Sequence, residues 1–594
     1  RVLRGIPVSS GIVLGSIYIY DRGRPGVPER TVPESDVAHE IQRFRAAVEG
    51  TREELALLKA KIQQQAGPTF AEFIDVLLAL LDEPELVKGT VALIQERRLN
   101  AEACFQEVIR RLSAPLARSP VTFVQERTAD LADVANRVLH RLLGQTVPSL
   151  YDIPAGAVIA ARELPPSEAT LLDPRKVAGV AVEVGGKTSH TAIMTKAREI
   201  PLLAGVKNLL ARVSPGDRAI LDGYRGILVL NPTPKHLELY KQEQARLERR
   251  RSFLLRHLTD EPVTLDGSHL DIMANTEFAP ECVRARECGA RGIGLFRSEY
   301  LLIARRRPPT EEEQYQVFAE IARRTKPYPV IIRTFDLGGD KVLAGYTEAN
   351  PFLGWRAIRF CFDNREFFKN QLRAILRASA EGNVKIMFPM IATVEELRRA
   401  KLLVSETKAE LRRAGIAFDD QIPLGIMVEV PSAALLSRSL ARECNFFSIG
   451  SNDLTQYTLA VDRGNERVAR LYDHFHPAVL RLIRQTIEAA HEQAITVARC
   501  GEFASDPLGI VVLIGLGIDE LSMVPALIPQ AVSVVRACDR AKARLIVEQA
   551  INRDTSLEVT RALRRGIDER LPLLAKLLFR NAEPERIAKG ELQN

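Results

Sequence analysis

Cysteine is scarce in this chain of 594 residues. There are seven, an odd number, at Cys104, Cys282, Cys288, Cys361, Cys444, Cys500 and Cys538, with no CxxC spacing. That excludes a disulfide framework and leads us to expect reduced thiols in a cytoplasm. No apolar run approaches the roughly 20 residues that a membrane-spanning helix needs, and no signal peptide with its apolar core and cleavage site is found. Charge of one sign is not concentrated either. The net charge is +7, but acids and bases interleave, with Arg249–Arg251 and Arg305–Arg307 as short basic runs. A nucleic-acid surface would need more basic charge on one face and a recognisable module. Neither a nucleic acid nor a membrane is therefore expected as a partner.

What is present is ordinary for a globular protein, with 46% hydrophobic and 26% charged residues. The length exceeds what one hydrophobic core supports, so about two to four domains are expected. The chain starts at Arg1 and not at Met, so we expect a preceding segment.

Residues 1–20 alternate apolar and small residues and read as strands. Ser35 is then expected to cap a long helix. Val37, Ile41, Phe44, Val48, Leu55, Leu58 and Ile62 recur mostly three or four residues apart along it. Helical patterning continues to about 143, with breaks near Gly67-Pro68 and Ser119-Pro120. Short apolar strands then alternate with Gly- and Pro-containing turns at 157–160, 178–184, 201–205, 218–221 and 226–230. A polar helix at about 234–257 reads as a linker. Eight short apolar runs separated by helical patterns follow, at 270–275, 292–296, 330–335, 385–390, 425–430, 446–450, 495–500 and 519–523. Eight strand–helix units of this kind indicate a (β/α)₈ barrel, in which active sites lie at the C-terminal ends of the strands. Asn275, Arg297, Arg333, Glu429, Asn452, Asp453 and Cys500 all end or follow one of those runs.

Gly185-Gly186-Lys187-Thr188-Ser189-His190 follows a strand and precedes a helix expected to begin near His190. Glycines let backbone amides approach an anion, and a helix N-terminus adds positive potential. Neutral imidazole in that setting is a nucleophile toward phosphorus. Standing alone, such a loop is more often a turn holding a buried histidine. The barrel supplies the context. Arg297, Arg333, Arg359 and Arg463 end or follow strands, and guanidinium forks bind phosphate and carboxylate bidentately. Glu429 and Asp453 come from adjacent strands as a sparse pair of hard oxygen ligands, which suits Mg²⁺ completed by substrate phosphate and water. Cys500 ends the seventh run, where a thiol exchanges a proton with a substrate carbon.

The segments GGKTSHTAIMTKAREIPLLAG, GIGLFRSEY, RTFDLGGDK, NPFLGWRAIR, MFPMIAT, VEVPSA, SIGSNDLTQYTLAVDRGN and CGE together resemble enzyme I of the phosphoenolpyruvate-dependent sugar phosphotransferase system. The resemblance runs from about residue 4 to 540. It implies that His190 is phosphorylated, that Arg297, Arg333, Asn452 and Arg463 bind phosphoenolpyruvate, and that Glu429 and Asp453 hold Mg²⁺. It also implies that Cys500 protonates the enolate, that the carrier is the phosphocarrier protein HPr, and that the protein is a homodimer through its barrel. The fold expected is an α/β phosphohistidine domain that swivels (1–24 and 146–232) with an inserted helical carrier-docking subdomain (25–145). A linker helix (233–258), the phosphoenolpyruvate-binding barrel (259–545) and a C-terminal helical tail (546–594) complete it, with helix over 570–579.

Departures from the family pattern are uneven. Phe503 stands where Met is usual and His474 where Pro is usual. In the first half, Lys187 replaces an Arg, Ala169 and Thr170 exchange an order, and Leu77 occupies a His position. A pyruvate-phosphate dikinase or phosphoenolpyruvate synthase would need an ATP-binding domain, for which neither length nor a Gly-rich loop is present. Thr191, after the histidine, also matches enzyme I. A nitrogen-branch regulatory paralogue, with a sensory domain of GAF type ahead of this point, is the second reading. A catalytically silent phosphoenolpyruvate-binding regulator is the third; it would be marked by loss of Glu429, Asp453 or His190, all of which are present.

Overall fold

The structure, a computed structural model, describes residues 1–20, 26–66, 68–117, 122–145, 150, 153–164, 166–169, 172–185, 192, 195, 198, 200–255, 261–303, 308–338, 348, 350–463, 465 and 467–580. The chain divides into two compact units, one chiefly residues 1–248 and the other chiefly residues 249–594.

The first unit is built on an eight-stranded sheet of β1 (Val2–Arg4), β2 (Ile6–Ser9), β3 (Ile12–Tyr20), β4 (Ala157–Ala161), β5 (Val177–Val182), β6 (Leu202–Ala204), β7 (Arg218–Asp222) and β8 (Ile227–Leu230). Their order is β1-β8-β7-β3-β4-β5-β6-β2, with β3 parallel to β4 and antiparallel to β7. A strand buried on both faces is apolar throughout, and β4 shows this. Ala157, Ile159 and Ala161 join one core, and Val158 and Ala160 the other. The strands expected within 1–20 do join this sheet.

Among the described residues between β3 and β4 lie five α-helices: α1 (Val37–Ala66), α2 (Pro68–Leu81), α3 (Pro84–Arg97), α4 (Ala101–Ala117) and α5 (Thr122–Leu142). The apolar stripe of α1 places Phe44, Val48, Leu55 and Leu58 in their shared core. Ser35 does not cap α1. It lies inside a short 3₁₀ turn, Glu34–Asp36, and its hydroxyl donates to Asp36 at 2.9 Å, so the turn and not a side chain leads into the helix. Leu77 is a core residue of this block, not a surface one. Arg137 on α5 is buried, donating to Asp133 (3.0 Å), to Glu168 (2.6 Å) and to Glu54. It therefore ties α5 to α1 and to the short turn Pro166–Ala169. The polar helix Pro234–Leu255 is not a bare spacer, because Leu237, Tyr240 and Leu247 pack on the sheet beside Ile220 and Val229.

The second unit is a closed parallel barrel of eight strands. They are β9 (Asp271–Thr276), β10 (Ile293–Arg297), β11 (Val330–Arg333), β12 (Val384–Phe388), β13 (Leu424–Val428), β14 (Phe446–Gly450), β15 (Thr496–Cys500) and β16 (Glu520–Met523). Each falls on one of the eight expected runs. Period-two alternation sends Leu295, Ile331, Met387, Met427, Phe446 and Cys500 into one internal cluster. Their neighbours Phe296, Ile332, Phe388 and Phe447 instead join the core under the surrounding helices.

The expected end of the barrel at 545 cuts through a helix, Arg540–Ile551. The next helix, Ser556–Arg570, opens with a full capping box at Thr555 and Glu558 and buries Val559, Leu563 and Ile567 in the barrel core. The residues from 546 to about 575 thus belong to the barrel's outer layer, because their apolar face has nowhere else to go. Within 570–579 the chain forms a short helix, Pro572–Ala575, and then a π turn, Lys576–Arg580.

Candidate active site

The strand ends deliver a group of opposed charges at the C-terminal side of the barrel. Arg297 ends β10, with a third of its side chain exposed, and donates to Glu277 at 2.8 Å. Arg333 ends β11 and is buried. It bonds Glu299, pairs with Asp336 at 3.3 Å and approaches the Met427 sulfur at 3.7 Å. The sequence around it is arranged for this. The Ser298 hydroxyl donates to the Arg333 carbonyl at 2.6 Å, the Gln371 amide donates to Ser298 at 2.9 Å, and the Gln371 oxygen accepts from the Phe335 amide at 2.9 Å. The Ser298-Glu299 pair after Arg297 is therefore spent on holding Arg333.

Arg356 is the member of the set that sequence reasoning missed. Its guanidinium donates to both oxygens of Asp336 (2.9 and 3.1 Å) and to the Tyr457 hydroxyl (3.0 Å), and lies 3.6 Å from Asp453. The expected Arg359 points elsewhere, donating to the carbonyls of Leu353 (3.0 Å) and Gly354 (3.2 Å). Both arginines stand in GWRAIRF, and the backbone chooses between them. Ala357, with φ +52°, turns the chain between Arg356 and the helix Ile358–Asp363, on which Arg359 sits. Gly338, with φ +102°, lets the loop after β11 pass Arg356 where a Cβ would meet the Arg356 Cβ at 2.6 Å.

Glu429 directly follows β13 and is buried, accepting from the Met390 amide at 2.7 Å. Asp453 and Asn452 lie in the first turn of the helix Ser451–Leu459, which starts where β14 ends. Adjacent pairing of β13 and β14 places these groups side by side. Burial, then the charges of Asp453 and Asp336, push the Glu429 carboxyl up to about 8, against the pull of Arg333 and Arg356. Two crowded carboxyls beside oxygen-rich surroundings are the donor chemistry that a hard divalent cation relieves. Among the described residues, no three His, Cys, Asp or Glu side chains gather to hold a metal by themselves.

Cys500 ends β15 in the internal cluster, its sulfur 3.7 Å from the Ile449 carbonyl. Burial raises its thiol, helped by Glu429 and opposed by Ser448, Arg333 and Arg297. It is therefore a neutral acid near pH 7, one that holds a proton. Arg463 is exposed, its amide donating to Gln456 at 3.2 Å. Its charge acts on Tyr472, whose hydroxyl donates to the Asn452 carbonyl at 3.1 Å. Buried nitrogens of Arg333 and Arg356 (Nε in each) and the Asn452 side-chain oxygen have no partner among the described residues. These are uncommitted polar atoms near the cluster of opposed charges. Asn275, at the β9 end, is instead engaged with the hydroxyl of Ser522 at 2.5 Å. Residues 186–191, including Lys187 and His190, lie outside the described residues.

Three family models match this chain. They are the N-terminal domain of phosphoenolpyruvate-utilising enzymes over residues 4–127, their mobile domain over 153–226, and their phosphoenolpyruvate-binding domain over 254–540. The phosphoenolpyruvate-protein phosphotransferase of Geobacillus stearothermophilus is 41% identical over 568 residues, covering 95% of this chain and 98% of its own length. That of Bacillus sp. (strain S) is 40% identical over the same shares. A solution structure of enzyme I is 35% identical and covers 41% of this chain and 99% of that chain, with a TM-score of 0.38.

Proposed function

The chain belongs to the phosphoenolpyruvate-protein phosphotransferase family, and from that membership we propose that it moves the phosphoryl group of phosphoenolpyruvate onto His190 and then onto a histidine of a small carrier protein. It is a transferase acting on phosphoenolpyruvate. The observation that carries the reading is the convergence of Arg333, Arg356, Glu429, Asp453 and Cys500 at the ends of different barrel strands and in the loops after them.

Phosphoryl transfer asks a protein mainly for positioning and charge neutralisation. Arg297, Arg333 and Arg463 present guanidinium groups to a substrate that carries both phosphate and carboxylate, with Asn452 beside them. Arg356 takes the part expected of Arg359, since it lies among the acids and Arg359 is engaged with backbone. Glu429 and Asp453 would hold Mg²⁺, which would supply neutralisation of phosphate charge there. The imidazole of His190 attacks phosphorus, and the bond from phosphorus to the enolate oxygen breaks. The Cys500 thiol gives its proton to the enolate carbon, so pyruvate leaves and the thiolate regains a proton from water. His190 lies in the sequence of the first unit, and the reaction requires it to reach the barrel mouth.

The carrier is HPr or its nitrogen-branch counterpart. Leu77, being core, supports neither branch, because a departure there changes packing and not a docking face. As the resemblance implies, two chains pair through their barrels.

The test is a single-turnover measurement of pyruvate release with phosphoenolpyruvate and Mg²⁺ but no carrier. A burst of about one pyruvate per chain, absent in His190→Ala, is expected for a covalent intermediate. Adding HPr or the nitrogen-branch carrier separately should convert the burst into turnover with one of them. Pyruvate release by His190→Ala at the wild-type level would sink the reading.

A further inference from the structure

Arg499 is the largest fully buried side chain among the described residues, with 0% of its surface exposed. None of its three guanidinium nitrogens has a hydrogen-bond partner among the described residues. It is not part of the site described above. On β15, Cys500 joins the internal cluster, whereas Arg499 pairs in register with Ile449 and Leu521, which belong to the core between sheet and helices. Its guanidinium lies over the Phe503 ring, 4.3 Å from the centroid.

A second group stands against the same ring. The His474 imidazole is 5.6 Å from Phe503 and 5.0 Å from Tyr472, centroid to centroid. Its Nδ1 is 3.0 Å from the Thr455 hydroxyl, and its Nε2 is buried with no partner among the described residues. If the hydroxyl donates to Nδ1, then Nε2 carries a hydrogen and is a donor. Both groups lie against one ring, the guanidinium at 4.3 Å and the imidazole at 5.6 Å from its centroid. The groups whose charge bears on Arg499 are Cys500 and Tyr472, and no carboxylate is among them.

The uncommitted atoms of these two side chains are donors: three guanidinium nitrogens and, in that tautomer, one imidazole nitrogen. Leaving a buried charge without a counter-charge costs several kcal/mol, and leaving its donors unmade adds to that. Water would satisfy donors but not the charge. We propose that Arg499 and His474 form a binding site for a small monovalent anion, of halide or formate size, enclosed between β15, Phe503 and the segment Tyr472–His474. One negative charge matches one guanidinium, and a guanidinium fork and an imidazole N–H are both donors to such an anion. Because Thr455 stands on the helix that carries Asn452 and Asp453, and Tyr472 donates to the Asn452 carbonyl, an occupied site braces that helix from behind.

The test compares thermal unfolding of the full chain in sodium gluconate, whose anion is too bulky for an enclosed site, with sodium chloride and sodium formate at constant ionic strength. The wild type should gain stability saturably with chloride or formate, and Arg499→Met should show no such gain. Met fills the volume without a charge, so this variant should equal or exceed the wild type in gluconate. His474→Leu should raise the half-saturating concentration about tenfold, the loss of one charge-assisted hydrogen bond. It also serves should Arg499→Met fail to fold. Crystals soaked in bromide should show an anomalous peak between the guanidinium and Nε2. An anion response shared equally by wild type and variants, no response in the wild type, or no bromide peak would overturn the proposal.

Discussion

At the scale of single residues, the site is a balance of acids against arginines, and the balance makes distinct demands on neighbours in sequence. Arg356 serves Asp336 and lies near Asp453, whereas Arg359 serves two carbonyls. Arg356→Met should lower kcat/KM for phosphoenolpyruvate roughly 10- to 100-fold, the ~1.5–3 kcal/mol of a lost charged hydrogen bond. Arg359→Met should change it about twofold or less, as for a surface substitution. Steady-state kinetics on the two variants separates them. Glu520 gives a pH-dependent case away from the site. It is buried near the start of β16, and burial with Asp271 and Asp519 pushes its carboxyl up to about 7, against Lys385. A raised acid holds its proton more tightly folded than unfolded, so its contribution to stability is present below about 4.5 and is lost as pH rises through about 7. Glu520→Gln should therefore stabilise the fold at pH 8 by about 1–3 kcal/mol, a gain that fades toward pH 5. Urea unfolding at the two pH values reads the difference directly.

At the scale of elements, the handover from β14 to the helix Ser451–Leu459 is tightly built. A Cβ on Gly450 would meet both Cβ and Oε2 of Glu429 at 2.8 Å. Gly450→Ala should displace the Glu429 carboxylate and raise the Mg²⁺ concentration for half-maximal activity about tenfold, as loss of ligand positioning does. Circular dichroism should show the barrel intact. Elements of this kind were largely legible in the sequence. A parallel strand buried on both faces must be a continuous apolar run, and the polar residue that ends it must face the mouth, so eight runs yielded eight strands and named Arg297, Arg333, Glu429 and Cys500 at their ends. What was not legible depends on packing in three dimensions. Arg356 and Arg359 share one short stretch, and only the turn at Ala357 decides which guanidinium enters the site. Glu299 and Asp336 carry no signal of their role in the sequence, and only the fold sets them on Arg333. The helix Ser556–Arg570 looks like an appended tail, because its apolar face is recognisable as core only once the barrel beside it is known. Ser35 has the composition of a cap, but the 3₁₀ turn around it claims the position.

At the scale of the molecule, the chain has two compact units with different chemistry. One presents carboxylates, arginines and a proton-holding thiol at the end of a barrel. The other carries His190 in its sequence and a helical block fastened by Arg137 to the segment at Glu168. The division makes sense for a reaction that loads a group in one place and delivers it in another, because a histidine that must meet two partners cannot be fixed against either. It also means that the barrel alone should bind phosphoenolpyruvate but release no pyruvate. The central claim is that the phosphoryl group rests on His190, and the measurement that tests it most directly is incubation of the full chain with radiolabelled phosphoenolpyruvate and Mg²⁺. Label that is acid-labile and base-stable, and that maps to the peptide containing His190, is the expected result. No stable label on the wild-type chain, or label that survives His190→Ala, would contradict it.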